Sequence, residues 1–336
     1  MHDLDMATWD RLKRIDVDPD YTAWRDYAVE TGVHPAVLTY LDIEQGHFYH
    51  VETTVDGMSF VTARGWDDLS SIIKLYEEQN LPVDDLLIGQ YVQSPEIAKH
   101  FSVYYELFTK YRSDYQIDRI VEGTFDQGIV ERAQEAGFDE RVSLMGLITD
   151  ALIGVVREAV SEEKAVAFTH EQLAALRDRM AEDATEDARD LAQKAAAEIR
   201  KKAGIEKTAG LLSSDKKLSY ERAAGLLEAA VRNTEGSALS FDDIKAEFEE
   251  MLDALDGRLD RAARGLDNVF RFVEEAFGDG QEMLLLVTDL SVNRYSMAFI
   301  NDHGCERYFA HNEKLLFRER GDDLIDRINR LNLEEE

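Results

Sequence analysis

Apolar side chains recur at helical steps between residues 21 and 43. Trp24, Ala28, Val37, Leu38 and Leu41 mark this pattern, Gly32 closes a first helix, and Pro35 opens a second. The period then changes. The run "HFYHVETTVDGMSFVTA" is rich in β-branched and aromatic residues around Asp56-Gly57, whose glycine accepts the positive φ of a tight turn. One hairpin is expected near 47–62, and almost no other sheet. From Asp67 to about Val160, helical segments are separated by "NLPVDD", "QSPE", "RSDY" and "AGFDE", where Pro82, Ser94, Pro95 and Gly137 stop or start helices. Residues 21–160 therefore read as a compact helical domain.

The second half follows a longer rhythm. Thr169 and Gln172 fit a capping box, after which Leu173, Leu176, Met180, Ala184, Ala188, Leu191, Ala195 and Ile199 recur at steps of three and four. One long amphipathic helix is expected there. A break from about 203 to 218 and a short helix near 219–231 follow, and then Ser240 reads as a cap. It precedes a second stripe of Ile244, Phe248, Met251, Leu255, Leu259, Ala262, Leu266 and Phe270. Two such stripes pair as an antiparallel arm over 161–275 or pack separately on a globular body. In the tail, 276–336, "MLLLVTDLSVNRYSMAFI" is apolar on more than one face and predicts a buried helix docked on the body rather than a membrane span. The final "LEEE" is expected to fray. The expected class is mainly α, with one small hairpin, a coiled-coil-like extension and a docked helical tail.

Composition adds constraints. A chain of 336 residues that is 44% hydrophobic can fill two cores, which excludes global disorder. Sixty-nine acidic residues against 38 basic ones give a formal charge of -31, which repels nucleic-acid phosphate and anionic lipid and argues against both as partners. Arginine outnumbers lysine 25 to 13, and no residue from 246 to 313 is a lysine. Dense carboxylates with scarce lysine suit a salt-rich cytoplasm and predict a halophilic source. Cys305 stands alone, so no intramolecular disulfide can form and a reducing compartment is expected. There is no charged-then-apolar leader and no apolar run of about 18 residues, so a cytoplasmic location is expected.

Several chemistries are imitated and then fail. No G-x-x-x-x-G-K-[ST] match exists; "AGIEKTAG" offers Gly204, Lys207 and Thr208, but after a helix and without the loop length to wrap phosphate. Asp16, Asp18 and Asp20 mimic the start of a calcium loop, yet Tyr21 and Tyr27 stand where glycine and glutamate are required, so an acidic turn is expected. His303, Cys305 and His311 lack a fourth zinc ligand and match no common spacing. His47 and His50, placed in the hairpin, would point to opposite faces. Neither a G-x-S-x-G elbow nor an H-E-x-x-H helix is present.

Two arginines remain. Arg11 follows an aspartate in "ATWDRLKRIDVDPDY", and Arg64 opens a helix in "TARGWDDLS". A guanidinium fork binds phosphate in a bidentate way and can stabilise charge developing on a γ-phosphate. Either one alone reads as a surface ion pair.

Together their order and surroundings resemble the carboxyl-terminal half of a MoxR-like AAA+ ATPase. Ala7, Asp10, Arg11 and Leu12 resemble that family's arginine-finger segment; His34-Pro35-Ala36-Val37 resembles a lid helix; Thr62, Ala63, Arg64, Trp66, Leu69 and Ser70 resemble the sensor-2 segment. The resemblance covers residues 5 to about 80 and continues more loosely to about 160. It implies that residues 1–20 end an AAA+ core, 21–160 form the helical lid, and the remainder is a family-specific extension. Arg11 would then be a finger acting in trans, and Arg64 a sensor of ATP phosphates. Leu12 stands where phenylalanine is usual, Ala63 where proline is usual, and the P-loop half is missing. The resemblance thus implies ATP and Mg²⁺ only when a P-loop AAA+ subunit completes the site, no ATP hydrolysis by this chain alone, and a truncated or split gene. It further implies a homo- or hetero-oligomer that remodels partner proteins in a chaperone-like way, among them proteins with a von Willebrand factor A domain. The alternative is a non-catalytic helical scaffold for protein interaction.

Overall fold

The computed structural model describes residues 18–54, 57–182, 187–234 and 238–314. It is mainly helical, and among the described residues its sheet is one two-stranded hairpin. The chain divides into two compact units, Met1–Lys110 and Tyr111–Glu336.

In the first unit, α1 (Tyr21–Thr31) begins where the Asp20 carboxylate accepts the Ala23 N–H at 3.1 Å, and it ends at Gly32 with φ 73°. Helix α2 (Pro35–Ile43) starts on its proline, and His34 Nδ1 accepts the Ala36 N–H at 3.1 Å. Strands β1 (His50–Thr54) and β2 (Gly57–Val61) pair antiparallel with His50 opposite Val61. Residue 56 of the expected turn lies outside the described residues. His47 was expected in this hairpin but sits in the preceding 3₁₀ turn, Gln45–His47. There its ring meets the Tyr40 hydroxyl at 2.7 Å, a local bond that outweighs strand pairing. Helices α3 (Ala63–Glu78) and α4 (Asp85–Tyr91) follow, and then α5 (Pro95–Asp114), whose last four residues belong to the second unit.

The second unit holds α6 (Ile117–Glu122), α7 (Gln127–Glu135), α8 (Phe138–Glu182), α9 (Ala188–Thr208), α10 (Ser214–Asn233), α11 (Phe241–Phe277), α12 (Gln281–Val292) and α13 (Arg294–His303), then a helix from 306 to 314. Four expectations change. The break at 160/161 falls inside α8, because residues 155–168 contain no proline or glycine to interrupt it. Thr169 caps nothing; it lies inside α8 with its hydroxyl donating to the Ala165 carbonyl at 2.7 Å. The long stripe from Leu173 to Ile199 is carried by two helices, α8 and α9, and the apolar tail segment is divided between α12 and α13 at Asn293, whose side chain caps α13. Ser240 does cap α11, in a reciprocal capping box with Asp243.

The first apolar stripe and the start of the second enter one core. Leu173 and Leu176 of α8, Leu191 and Ile199 of α9, Leu227 of α10 and Ile244 of α11 are buried together, so the arm is a four-helix bundle. At its base Asp215, in the first turn of α10, accepts from Ser161 Oγ (2.9 Å) and Lys164 Nζ (2.9 Å) of α8 and from the Tyr295 hydroxyl (3.0 Å) of α13. Burial works to raise the Asp215 pKa, but these three bonds outweigh it and hold the carboxyl below the usual carboxylate range.

A depressed folded-state pKa contributes stability that is complete above the unfolded value, about 4, and is lost as pH falls through the lower folded value. Asp215→Asn should therefore lower the urea midpoint at pH 7 and flatten its decline over that acid range. Urea titrations at a series of pH values measure both effects, and a variant with the wild-type acid slope would contradict the assignment.

Candidate functional site

The start of α3 is built from residues that are legible one at a time. Thr62, extended at φ -137°, accepts the Gly65 N–H on its hydroxyl at 3.2 Å and so occupies the cap position. Trp66 is fully buried, its ring 5.7 Å from Tyr40 and 5.4 Å from Phe101, and its indole N–H donates to the His47 carbonyl at 3.2 Å. Leu69 and Ile73 are buried on the same face. Ser70 Oγ accepts the His34 N–H at 2.7 Å. That bond joins the two sequence segments, His34–Val37 and Thr62–Ser70, that carry the lid resemblance. Gly65 is required by contact: a Cβ there would stand 2.9 Å from the Tyr91 carbonyl oxygen at the end of α4.

Arg64 stands on the other side of this anchored start. Its side chain is 90% exposed, and its Nε lies 3.7 Å from Asp68 Oδ2, one turn on. Exposed pairs at this spacing contribute only about 0.3–0.5 kcal/mol. The first turn of α3 carries no acidic residue, in a chain with 69 of them. The free N–H groups and partial positive charge of a helix start favour anions, and an arginine beside them adds charge of the same sign. Asp67 and Asp68 follow at once, and Asp68 already shares the Arg64 charge, so an anion arriving from outside the chain would compete with a carboxylate of the helix itself.

The other expected residues are dispersed. Arg11 lies outside the described residues. Asp20 is engaged as the cap of α1. Gly204, Lys207 and Thr208 belong to the end of α9, where the Thr208 hydroxyl donates to the Gly204 carbonyl, and they form no loop. His303 faces Glu163 at 3.3 Å. His311 sits between Glu274 (2.8 Å) and Asp279 (3.0 Å), with its ring stacked on Phe270. Cys305 is half-buried, and burial pushes its thiol pKa up. Among the described residues no group of three or more His, Cys, Asp or Glu side chains is placed to hold a metal ion. No helix there is long and apolar enough to cross a membrane.

No family model, no curated protein and no solved structure matches the chain. The resemblance to AAA+ lids therefore rests on the quoted residues alone.

Two substitutions separate the exposed and packed sides of this helix start. Arg64→Ala should leave unfolding free energy within about 0.5 kcal/mol of wild type, because it removes only an exposed pair. Gly65→Ala should cost roughly 1–3 kcal/mol, because the new methyl meets backbone that cannot yield as a side chain could. Chemical denaturation of the two variants reads both values.

Proposed function

We propose that the lid of a MoxR-like AAA+ assembly, expected over 21–160, is narrowed to residues 21–110 of the first unit, that Arg64 reads the phosphates of a nucleotide held by a separate P-loop subunit, and that the second unit, 111–336, is its extension. The observation that carries this reading is an arginine 90% exposed on a helix start whose opposite face is fixed by fully buried Trp66 and Leu69.

The residues at this helix start fit a phosphate. A guanidinium fork and free helix N–H groups bind oxyanions, and the rigid backbone beneath limits the ordering cost. They do not fit Mg²⁺, whose oxygen ligands would come from the P-loop subunit. When bound there, ATP supplies the phosphoanhydride whose cleavage powers remodelling. Arg64 would bind and orient the phosphate oxygens from the lid side. Any shift of Arg64 would pass through Trp66 to the Tyr40–Phe101 cluster and through Ser70 to the start of α2, coupling nucleotide state to lid angle. Arg11 has the in-trans finger role on resemblance alone. The second reading, a helical interaction scaffold, is favoured by the exposed aliphatic residues Ile205 and Leu211 on the extension.

ATP turnover in concentrated salt, by this chain with and without the P-loop subunit expected from a neighbouring gene, tests the proposal. The chain alone should be inactive and the pair active. Arg64→Ala should reduce turnover by the pair on the order of a hundredfold or more without releasing the subunit. Turnover by the isolated chain, or wild-type turnover by the Arg64→Ala pair, overturns it.

A further inference from the structure

Lysine is scarce in this chain and unevenly placed. Six of its 13 lysines fall between residues 194 and 217, and with Arg200 they set seven cations against three carboxylates in a chain whose net charge is -31. Lys194, Lys201, Lys202, Lys207, Lys216 and Lys217 are all exposed, while Ala192, Ala196 and Ile199 on the inner side of α9 serve the bundle core. Part of this charge is neutralised internally, by Lys216 on Glu206 at 3.1 Å and Arg200 on Glu228 at 2.6 Å. Lys201 and Lys207 meet no carboxylate among the described residues. Two large aliphatic side chains stand among the cations, Ile205 at 61% exposure and Leu211 at 66%.

Helix α11 carries the complement. Glu249, Asp253, Asp256 and Asp260 follow one another at helical steps along one face, and all four are exposed. Asp253 and Asp256 meet no cation among the described residues, and Leu252 beside them is 38% exposed. Gly257 on this stripe and Gly204 beside Ile205 lie inside helices, where glycine costs about 1 kcal/mol against alanine. A Cβ at either would meet nothing within 4 Å of its own chain, so a facing helix has room to approach.

We propose that this chain pairs with a second copy of itself, the basic surface toward the carboxyl-terminal end of α9 on one copy lying against the acidic stripe of α11 on the other, with both contacts made reciprocally. The occupant follows from charge. Outside residues 194–217 the chain is strongly acidic, and α11 sets carboxylates beside an exposed leucine, opposite in charge to the lysines of α9 and alike in kind to its exposed isoleucine. Ionic strength decides the balance. In dilute salt the repulsion between two bodies of charge -31 extends across the whole assembly; at about 0.2 M the screening length falls below about 10 Å and only facing charges count; at about 2 M those are screened as well. Association is therefore strongest in the middle range.

Sedimentation equilibrium of the full chain at about 0.02, 0.2 and 2 M sodium chloride, at concentrations up to about 100 µM, reads this dependence directly. Two charge-reversed variants supply the decisive comparison: Lys201→Glu with Lys207→Glu, and Asp253→Lys with Asp256→Lys. Each alone sets like charges across both contacts and should weaken self-association roughly a hundredfold. Mixed together they restore opposite charges at both contacts and the summed charge of two wild-type copies, so a mixed dimer should form with near wild-type affinity. That recovery also shows that neither variant failed to fold. A wild-type monomer at every salt concentration, or reversed variants whose mixture pairs no better than each alone, overturns the proposal. The outcome is independent of Arg64, so it stands or falls apart from the lid assignment.

Discussion

The burial of Trp66 is the constraint on which the first unit depends. Its ring is removed from water between Tyr40 and Phe101, and a buried indole N–H without an acceptor would cost on the order of 1–3 kcal/mol; the His47 carbonyl meets it. Packing and hydrogen bond together fix the rotation of α3 about its own axis. Residues two apart on a helix point about 200° away from one another, so a tryptophan held inward at 66 turns residue 64 into water. The exposure of Arg64 is thus set by its neighbour, and no partner of its own is needed to keep it there.

The second unit solves a different problem, that of closing long helices in a chain with many more carboxylates than cations. It does so by spending cations where helices distant in sequence meet. Arg222 of α10 reaches the buried Glu162 of α8 at 2.8 Å, Arg258 of α11 reaches Glu158 at 3.2 Å, and Arg307 bridges Asp267 and Glu274 of α11. Each pair joins two elements rather than two turns of one helix. Breaking the Arg222–Glu162 pair strands a buried carboxylate, which is the costly way to lose a pair, whereas the more exposed Arg258–Glu158 and Arg307–Asp267 pairs contribute less.

Much of this architecture was legible because local bonds leave local signatures. Gly32, Pro35 and Ser240 were readable as helix ends because each acts on backbone groups a few residues away. The Leu173–Ile199 stripe misled because steps of three and four continue along the sequence past the end of α8 at Glu182 and into α9 at Ala188; periodicity records a face and not where one helix ends. Thr169 misled because a threonine hydroxyl satisfied by the carbonyl four residues back leaves the same sequence trace as a cap. At the candidate site Thr62, Trp66, Leu69 and Ser70 were each readable, whereas the Ser70–His34 bond was not, since it spans 36 residues. The histidines near the carboxyl terminus looked grouped with Cys305 along the chain, but each takes its own acidic partners, His303 with Glu163 and His311 with Glu274 and Asp279.

Helix α8 runs without a break through 45 residues, about 68 Å at the usual rise. Toward one end it buries Leu144, Ile148 and Leu152, and toward the other Leu173 and Leu176 join the four-helix bundle. Such a rod is a lever. A tilt of about 10° at the base carries its far end through roughly 10 Å, while interiors packed at crystal-like density resist deforming by even a fraction of that distance. A rotation of the rod about one end would therefore displace the other by far more than either packed core could take up as strain.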